Sequence, residues 1–153
     1  MKGKRLLVVG LVFVLLTAVT LGAAGCSLSE AKDKAALLAA LTKFDLASAP
    51  LAVTVNSTDN DATVTSNGTP VAAAIKAGLA DVADDWQSVV EKAKKVDGAD
   101  VAAAEKAWSD LEAAVDSVPE DATAGEAGAI IGGELDDLLT VRSQLSALAT
   151  GSE

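Results

Sequence analysis

Any chemistry in this chain has to be done without histidine, without tyrosine and with a single cysteine, Cys26. The missing histidines remove Ser-His-Asp and Cys-His catalysis and the commonest metal ligand, and with them the side chain that titrates nearest neutrality. What remains is carboxylate chemistry, in adjacent pairs at Asp84 and Asp85, Glu120 and Asp121, Asp136 and Asp137. Neighbours in sequence point in different directions on a helix, so such pairs do not converge on one ligand and read as solvated faces. The triplet Asp59, Asn60, Asp61 opens like a calcium loop, but Thr63 and Val64 stand where that loop needs a further acid or amide and a glycine. Arg142, the one arginine after Arg5, falls near the inner edge of the last helical segment, where it can pair with an acid from a neighbouring helix. No catalytic, metal or cofactor site is assigned, and an enzyme is not expected.

Cys26 is different, because of what precedes it. Lys2, Lys4 and Arg5 stand before an uncharged apolar run from Leu6 to Gly25, which ends in Ala23, Ala24 and Gly25. A basic segment, an apolar segment and small residues before a cut site make a secretory signal. With cysteine directly after the small residues, residues 1–26 resemble the signal and lipobox of bacterial lipoproteins. Ala23 stands where leucine is commonest, and alanine is accepted there. The resemblance implies cleavage between Gly25 and Cys26, acylation of the Cys26 sulfur with a fatty acid such as palmitate, and a lipid anchor in the cell membrane facing the periplasm or the cell exterior. Two other readings of the same run are an uncleaved membrane-spanning helix and ordinary secretory cleavage that leaves an incidental thiol. The glycine and alanine tract suits a peptidase better than a bilayer interface, which favours Trp or Tyr.

Charge limits the partners. The chain carries 12 bases against 22 acids, a net charge of −10. Cleavage removes Lys2, Lys4 and Arg5 and leaves 128 residues with nine bases and a net charge of −13. Nucleic acids and anionic headgroups are disfavoured, because phosphate contacts need Lys and Arg. One cysteine forms no disulfide within the chain, so stability must come from packing, for which 128 residues suffice.

The elements that position these residues read as one helical domain over 30–150, behind a lipidated N-terminus and short tether at 26–29. The first helix starts with Ser27 and Glu30 at capping-box spacing, buries Leu37, Leu41 and Phe44, and is expected to end at Pro50. Residues 51–69 form a polar, Thr-rich insert, expected as an extended loop or a weak hairpin, because Leu51, Val53 and Val55 alternate and turn residues follow. Asn56 with Thr58 and Asn67 with Thr69 match the N-glycosylation pattern, which a bacterial lipobox deprives of most of its force. Thr69 as cap and Pro70 at the first helical position then open a second helix with the stripe Ile75, Leu79, Val82, Trp86, Val89 and Ala93, closed by Asp97 and Gly98. Asp100 caps a third, whose stripe is Ala104, Trp108, Leu111, Val115 and Val118, stopped by Pro119. Thr123 and Glu126 can form a capping box for the last helix, whose apolar face is Leu138, Val141, Leu145 and Leu148. Gly125, Gly128, Gly132 and Gly133 leave open whether that helix begins at Thr123 or nearer Glu134.

The fold class that follows is all-α: a small, mostly antiparallel bundle of about four helices behind an apolar signal helix. Trp86 and Trp108 lie at nearly equal heights above the turn at Asp97 and Gly98, each on its apolar stripe, so they are expected as neighbours in the core. The functional expectation is an envelope-exposed lipoprotein held to the membrane through Cys26 and acting as a structural or protein-interaction module with an envelope protein as partner. The alternative is a carrier that opens between its helices around an apolar ligand or lipid.

Overall fold

The computed structural model describes residues 28–55 and 60–151. Four helices follow one another: α1 (Leu28–Val55), α2 (Val71–Ala93), α3 (Val101–Asp116) and α4 (Ala124–Thr150). No strand occurs among the described residues, and the all-α bundle expected from the sequence is the architecture found. The signal run, Gly25, Cys26, the Ser27 cap and Asp59 lie outside the described residues.

α1 packs on α2 and α4, α3 packs on α4 and α2, and α2 meets α4 across the middle. Neighbours run antiparallel. Asp45 meets Arg142 while Asn60, further along, meets Gly125, and Trp86 meets Trp108 while Lys94, further along, meets Glu105. The bundle therefore has two poles. One holds the start of α1, the α2–α3 turn and the end of α4, where Gly98 faces Leu148. The other holds the α1–α2 connection and the α3–α4 turn.

The stripes read from the sequence are the buried faces. All six stripe residues of α2 and all five belonging to α3 and Val118 are buried, as are Leu37, Leu41 and Phe44 of α1. On α4, Leu138 and Leu145 are buried, and Val141 and Leu148 are half-buried against the same core. Ala124, Ala127 and Ile131 extend that face through the glycine-rich half, so the helix begins at Ala124 and not near Glu134.

Capping explains the boundaries. Asp100 accepts from the Ala103 N–H at 2.9 Å. Thr123 accepts from the Glu126 N–H at 3.2 Å, and Glu126 accepts from the Thr123 N–H at 2.9 Å, a complete capping box. Gly151 takes left-handed backbone, φ 71°, as the C-cap of α4, and Gly98, φ 85°, lets the chain turn between α2 and α3 at small steric cost; α2 itself stops earlier than the Asp97 and Gly98 expected from the sequence, at Ala93 with Lys94 as its C-cap.

Two further boundaries differ from expectation. Pro70 is the N-cap of α2 and not its first helical residue, and the Val71 N–H is satisfied by the Thr63 carbonyl at 3.0 Å instead of by the Thr69 side chain. A proline φ near −65° suits either position, so the ring alone does not fix the register. α1 runs through Pro50 to Val55. Proline removes one N–H and crowds the preceding turn, but residues after it can resume the helix. Leu51, Val53 and Val55, expected as one arm of a hairpin, are therefore helical, and only an isolated bridge joins Val64 to Pro70.

The connection after α1 has a structural task. Its Asn60 and Ala62 carbonyls accept from the Gly125 and Ala124 N–H groups at 2.9 and 2.8 Å, satisfying the exposed start of α4. A Cβ on Gly125 would sit 3.1 Å from both the Asn60 Cβ and its carbonyl oxygen, whereas nothing lies within 4 Å of one on Gly132 or Gly133. Gly132→Ala and Gly133→Ala should each raise the unfolding free energy by about 0.5–1 kcal/mol, through helix propensity and lost unfolded-state freedom. Gly125→Ala should gain less than either or lose stability; urea denaturation followed by circular dichroism ranks the three, and an equal gain at Gly125 would refute the close approach to Asn60. The capping box gives a second expectation. Hydrogen bonds from the Thr123 backbone and hydroxyl hold the Glu126 carboxyl below its ordinary pKa of 4.5. A lowered folded-state pKa stabilises above the unfolded value and loses that contribution as pH falls through the folded one. Glu126→Gln should thus be less stable than the parent at pH 7, and the difference should shrink as the pH falls through the acidic range, measured as urea midpoints.

Candidate functional site

The densest constellation of large side chains lies at mid-height, where α1, α2 and α3 contribute one aromatic each. The helical spacing that puts Val82, Trp86 and Val89 on one face of α2 aims Trp86 into the core, and the Ala104, Trp108, Leu111 series does the same on α3. The Trp86 and Trp108 ring centroids are 6.1 Å apart with planes inclined by 18°, a stacked pair. On the other side of Trp86 the Phe44 ring lies at 5.0 Å, tilted by 58°. Both distances fall in the range at which aromatic pairs attract beyond their buried area. Trp86 Nε1 donates to the Ala104 carbonyl at 3.3 Å, so the indole's one polar atom is satisfied inside the core. Trp86 is 1% exposed and Trp108 8%, which makes the pair core material and not the open walls of a ligand clamp.

Ion pairs flank this centre. Of the adjacent acids Asp84 and Asp85, the first is exposed and the second buried, the divergence that helical geometry requires. Asp85 accepts from Lys43 Nζ at 2.6 Å, joining α2 to α1, and that hydrogen bond together with the Asp85 charge raises the Lys43 pKa. Arg142 reaches from α4 to Asp45 on α1, with Nε donating to Oδ1 at 2.9 Å and Nη2 donating to Oδ2, the two-pronged geometry that a guanidinium fits. Lys94, the C-cap of α2, bridges Glu91 on that helix, at 3.0 Å, to Glu105 on α3, at 3.3 Å, and hydrogen bonds to both acids raise its pKa. Glu120, Asp121, Asp136 and Asp137 are exposed.

The clefts of the bundle are open. One of about 340 Å³ lies over the α2–α3 seam with Trp86 and Trp108 at its base, and Lys94 and its two acids along it. One of about 270 Å³ lies at the pole of the α2–α3 turn, between Gly98, Ala99 and the α4 residues Val141, Leu145 and Leu148. A third, of about 540 Å³, surrounds the α3–α4 turn. Among the described residues, no group of three or more acids or cysteines comes together in a form that could hold a metal ion, and every buried side-chain nitrogen and oxygen has a hydrogen-bond partner.

The partners Asp45 and Lys43 are not legible in the sequence, because pairing between helices depends on rotation and height that one helix's periodicity does not contain. Ile130 and Ile131 are consecutive on α4 and cannot both face inward. No protein-family model matches the chain, and neither a curated protein nor a solved structure matches it.

Removing an aromatic from the stack should be expensive. Trp108→Ala should lower the unfolding free energy by about 3–5 kcal/mol through lost burial and the cavity left behind. Trp86→Phe keeps a ring but leaves the Ala104 carbonyl without the indole donor, and it adds a smaller loss of about 1–3 kcal/mol. A cost below about 1 kcal/mol for Trp108→Ala in urea denaturation would contradict the buried stack.

Proposed function

We propose that the protein is a lipoprotein held to the cell membrane through a fatty acid on Cys26, facing the periplasm or the cell exterior, and that its bundle is an interaction module for an envelope protein. The observation that carries this reading is the small-residue tract ending in Cys26, followed after one residue by the first residue of α1, Leu28. An acyl chain at Cys26 would have almost no tether. It would hold the pole formed by the start of α1, the α2–α3 turn and the end of α4 against the bilayer and display the opposite pole. Among the described residues no helix is long and apolar enough to cross a membrane.

The filled core supports an interaction module over the carrier. A carrier needs space among the core side chains, and the clefts described here open at the surface around a continuous apolar cluster. The high acidity supports display in solvent over contact with anionic headgroups.

Cys26→Ala tests the anchor. Incorporation of radiolabelled fatty acid should be abolished and an uncleaved precursor should accumulate in the membrane fraction. A variant that is processed and released like the parent would replace lipid anchoring with ordinary secretion.

A further inference from the structure

Ile131 is buried at 1% exposure, and the preceding Ile130, turned away from the core, is left 38% exposed. It does not stand on a flat surface. Pro119 and Ala122 of the α3–α4 turn, with Ala129 and Ile130 of α4, wall the open notch of about 540 Å³, and Asp121 and Glu126 stand among them. The charge at this pole is mostly negative, with Lys76 of α2 the nearby base, in a separate cleft beside Asp116. No Lys or Arg occurs from Ala107 to Val141, nor from Phe44 to Ile75, so both chain connections that build the pole lack a base. Asp61, Asp116, Glu120, Asp121 and Glu126 fall within or beside them. An apolar seat bordered only by acids selects its occupant. It repels phosphate and anionic headgroups, and a second copy presenting the same pole, while it attracts a cationic segment that also has an apolar side chain to bury.

Resting on the interaction-module reading above, we propose that the notch around Ile130 is the docking surface for a protein segment in which one apolar side chain is flanked by Lys or Arg. The apolar residue seats between Pro119, Ala122 and Ile130, where its burial holds the complex together, and the flanking cations lie against Asp121 and the neighbouring acids, which speed and orient the approach. On the proposed anchoring the notch is at the pole away from the bilayer, where a partner can reach it.

The test pans a random displayed peptide library against the full chain purified in detergent micelles, then measures a synthesised selected peptide against variants. The selected peptides should share an apolar residue between basic ones. Their affinity should fall about tenfold or more in Ile130→Asn and in Asp121→Lys, the scale of a central contact, and should weaken as salt rises. Leu139→Asn, which alters an exposed apolar residue on another part of α4, should leave affinity unchanged. All three positions are exposed, and unchanged circular dichroism checks that the variants fold. Peptides without a basic-apolar pattern, or peptides indifferent to the two notch substitutions, would overturn the notch and leave an interaction module that binds elsewhere. Recovery of no binding peptide would overturn both.

Discussion

Trp86 is the packing contact on which the bundle depends. Beyond residue 26 the chain has three aromatic side chains, Phe44, Trp86 and Trp108, and a core otherwise built from Ala, Val, Leu and Ile. Small residues fill space only when helix backbones come close, and a close-packed interior leaves no slack for a misplaced large ring. The three rings solve this by sharing one layer. Trp86 stacks on Trp108 and meets the tilted Phe44 on its other side, so α2 is fixed in rotation and height against two helices at once. The Ala104 carbonyl, which accepts from the Trp86 indole, adds a directional constraint that apolar packing lacks. Lys43 with Asp85, one residue before each of Phe44 and Trp86, then closes the edge of the same layer.

Once that layer sets the register, the poles follow. The connection after α1 has to return to α2, and on the way its Asn60 and Ala62 carbonyls meet the free N–H groups at the start of α4. Gly125 is what allows this approach. The glycine-rich half of α4 is thus held by its capping box, by carbonyls from another connection and by Ala124, Ala127 and Ile131 on the core, which together offset weak intrinsic helicity.

Sequence made the middle of the bundle legible and its first connection illegible. The stripes of α2 and α3 repeat for several turns, and their caps, Asp100 and Thr123, act through neighbours three residues away, so local rules suffice. The heights of Trp86 and Trp108 could be counted from the turn at Asp97 and Gly98 for the same reason. Leu51, Val53 and Val55 failed that treatment: a five-residue alternation is too short to separate strand from helix, and Pro50 permits a helix to continue at a cost of about 3 kcal/mol. The Asp45–Arg142 and Lys43–Asp85 pairs needed the relative rotation of helices far apart in sequence, information that only the assembled core contains. The notch around Ile130 left one trace, two consecutive isoleucines of which only one could be buried.

The two ends of the molecule carry different charge patterns, and the antiparallel topology creates that difference. Of the nine bases beyond Cys26, Lys32 and Lys34 lie at the start of α1 and Lys92, Lys94 and Lys95 at the end of α2. Because α1 starts where α2 ends, these five gather at one pole, interleaved with acids such as Glu91 and Glu105 that pair with Lys94. The other pole receives the two base-free connections. Cations near the C-terminal end of α2 also complement its dipole, so their position has a local benefit independent of any partner. A bundle with this distribution is least repelled by an anionic surface at the pole where the chain leaves toward Cys26, and most repelled at the Ile130 pole. If Cys26 carries the proposed lipid anchor, electrostatics and a short tether would therefore favour the same orientation, with screening over about 8–10 Å confining the charge effect to the residues nearest the bilayer. The division of one small domain into a mixed-charge pole and an acidic one requires no separate structure, because it results from placing bases on the segments that one end of an antiparallel bundle brings together.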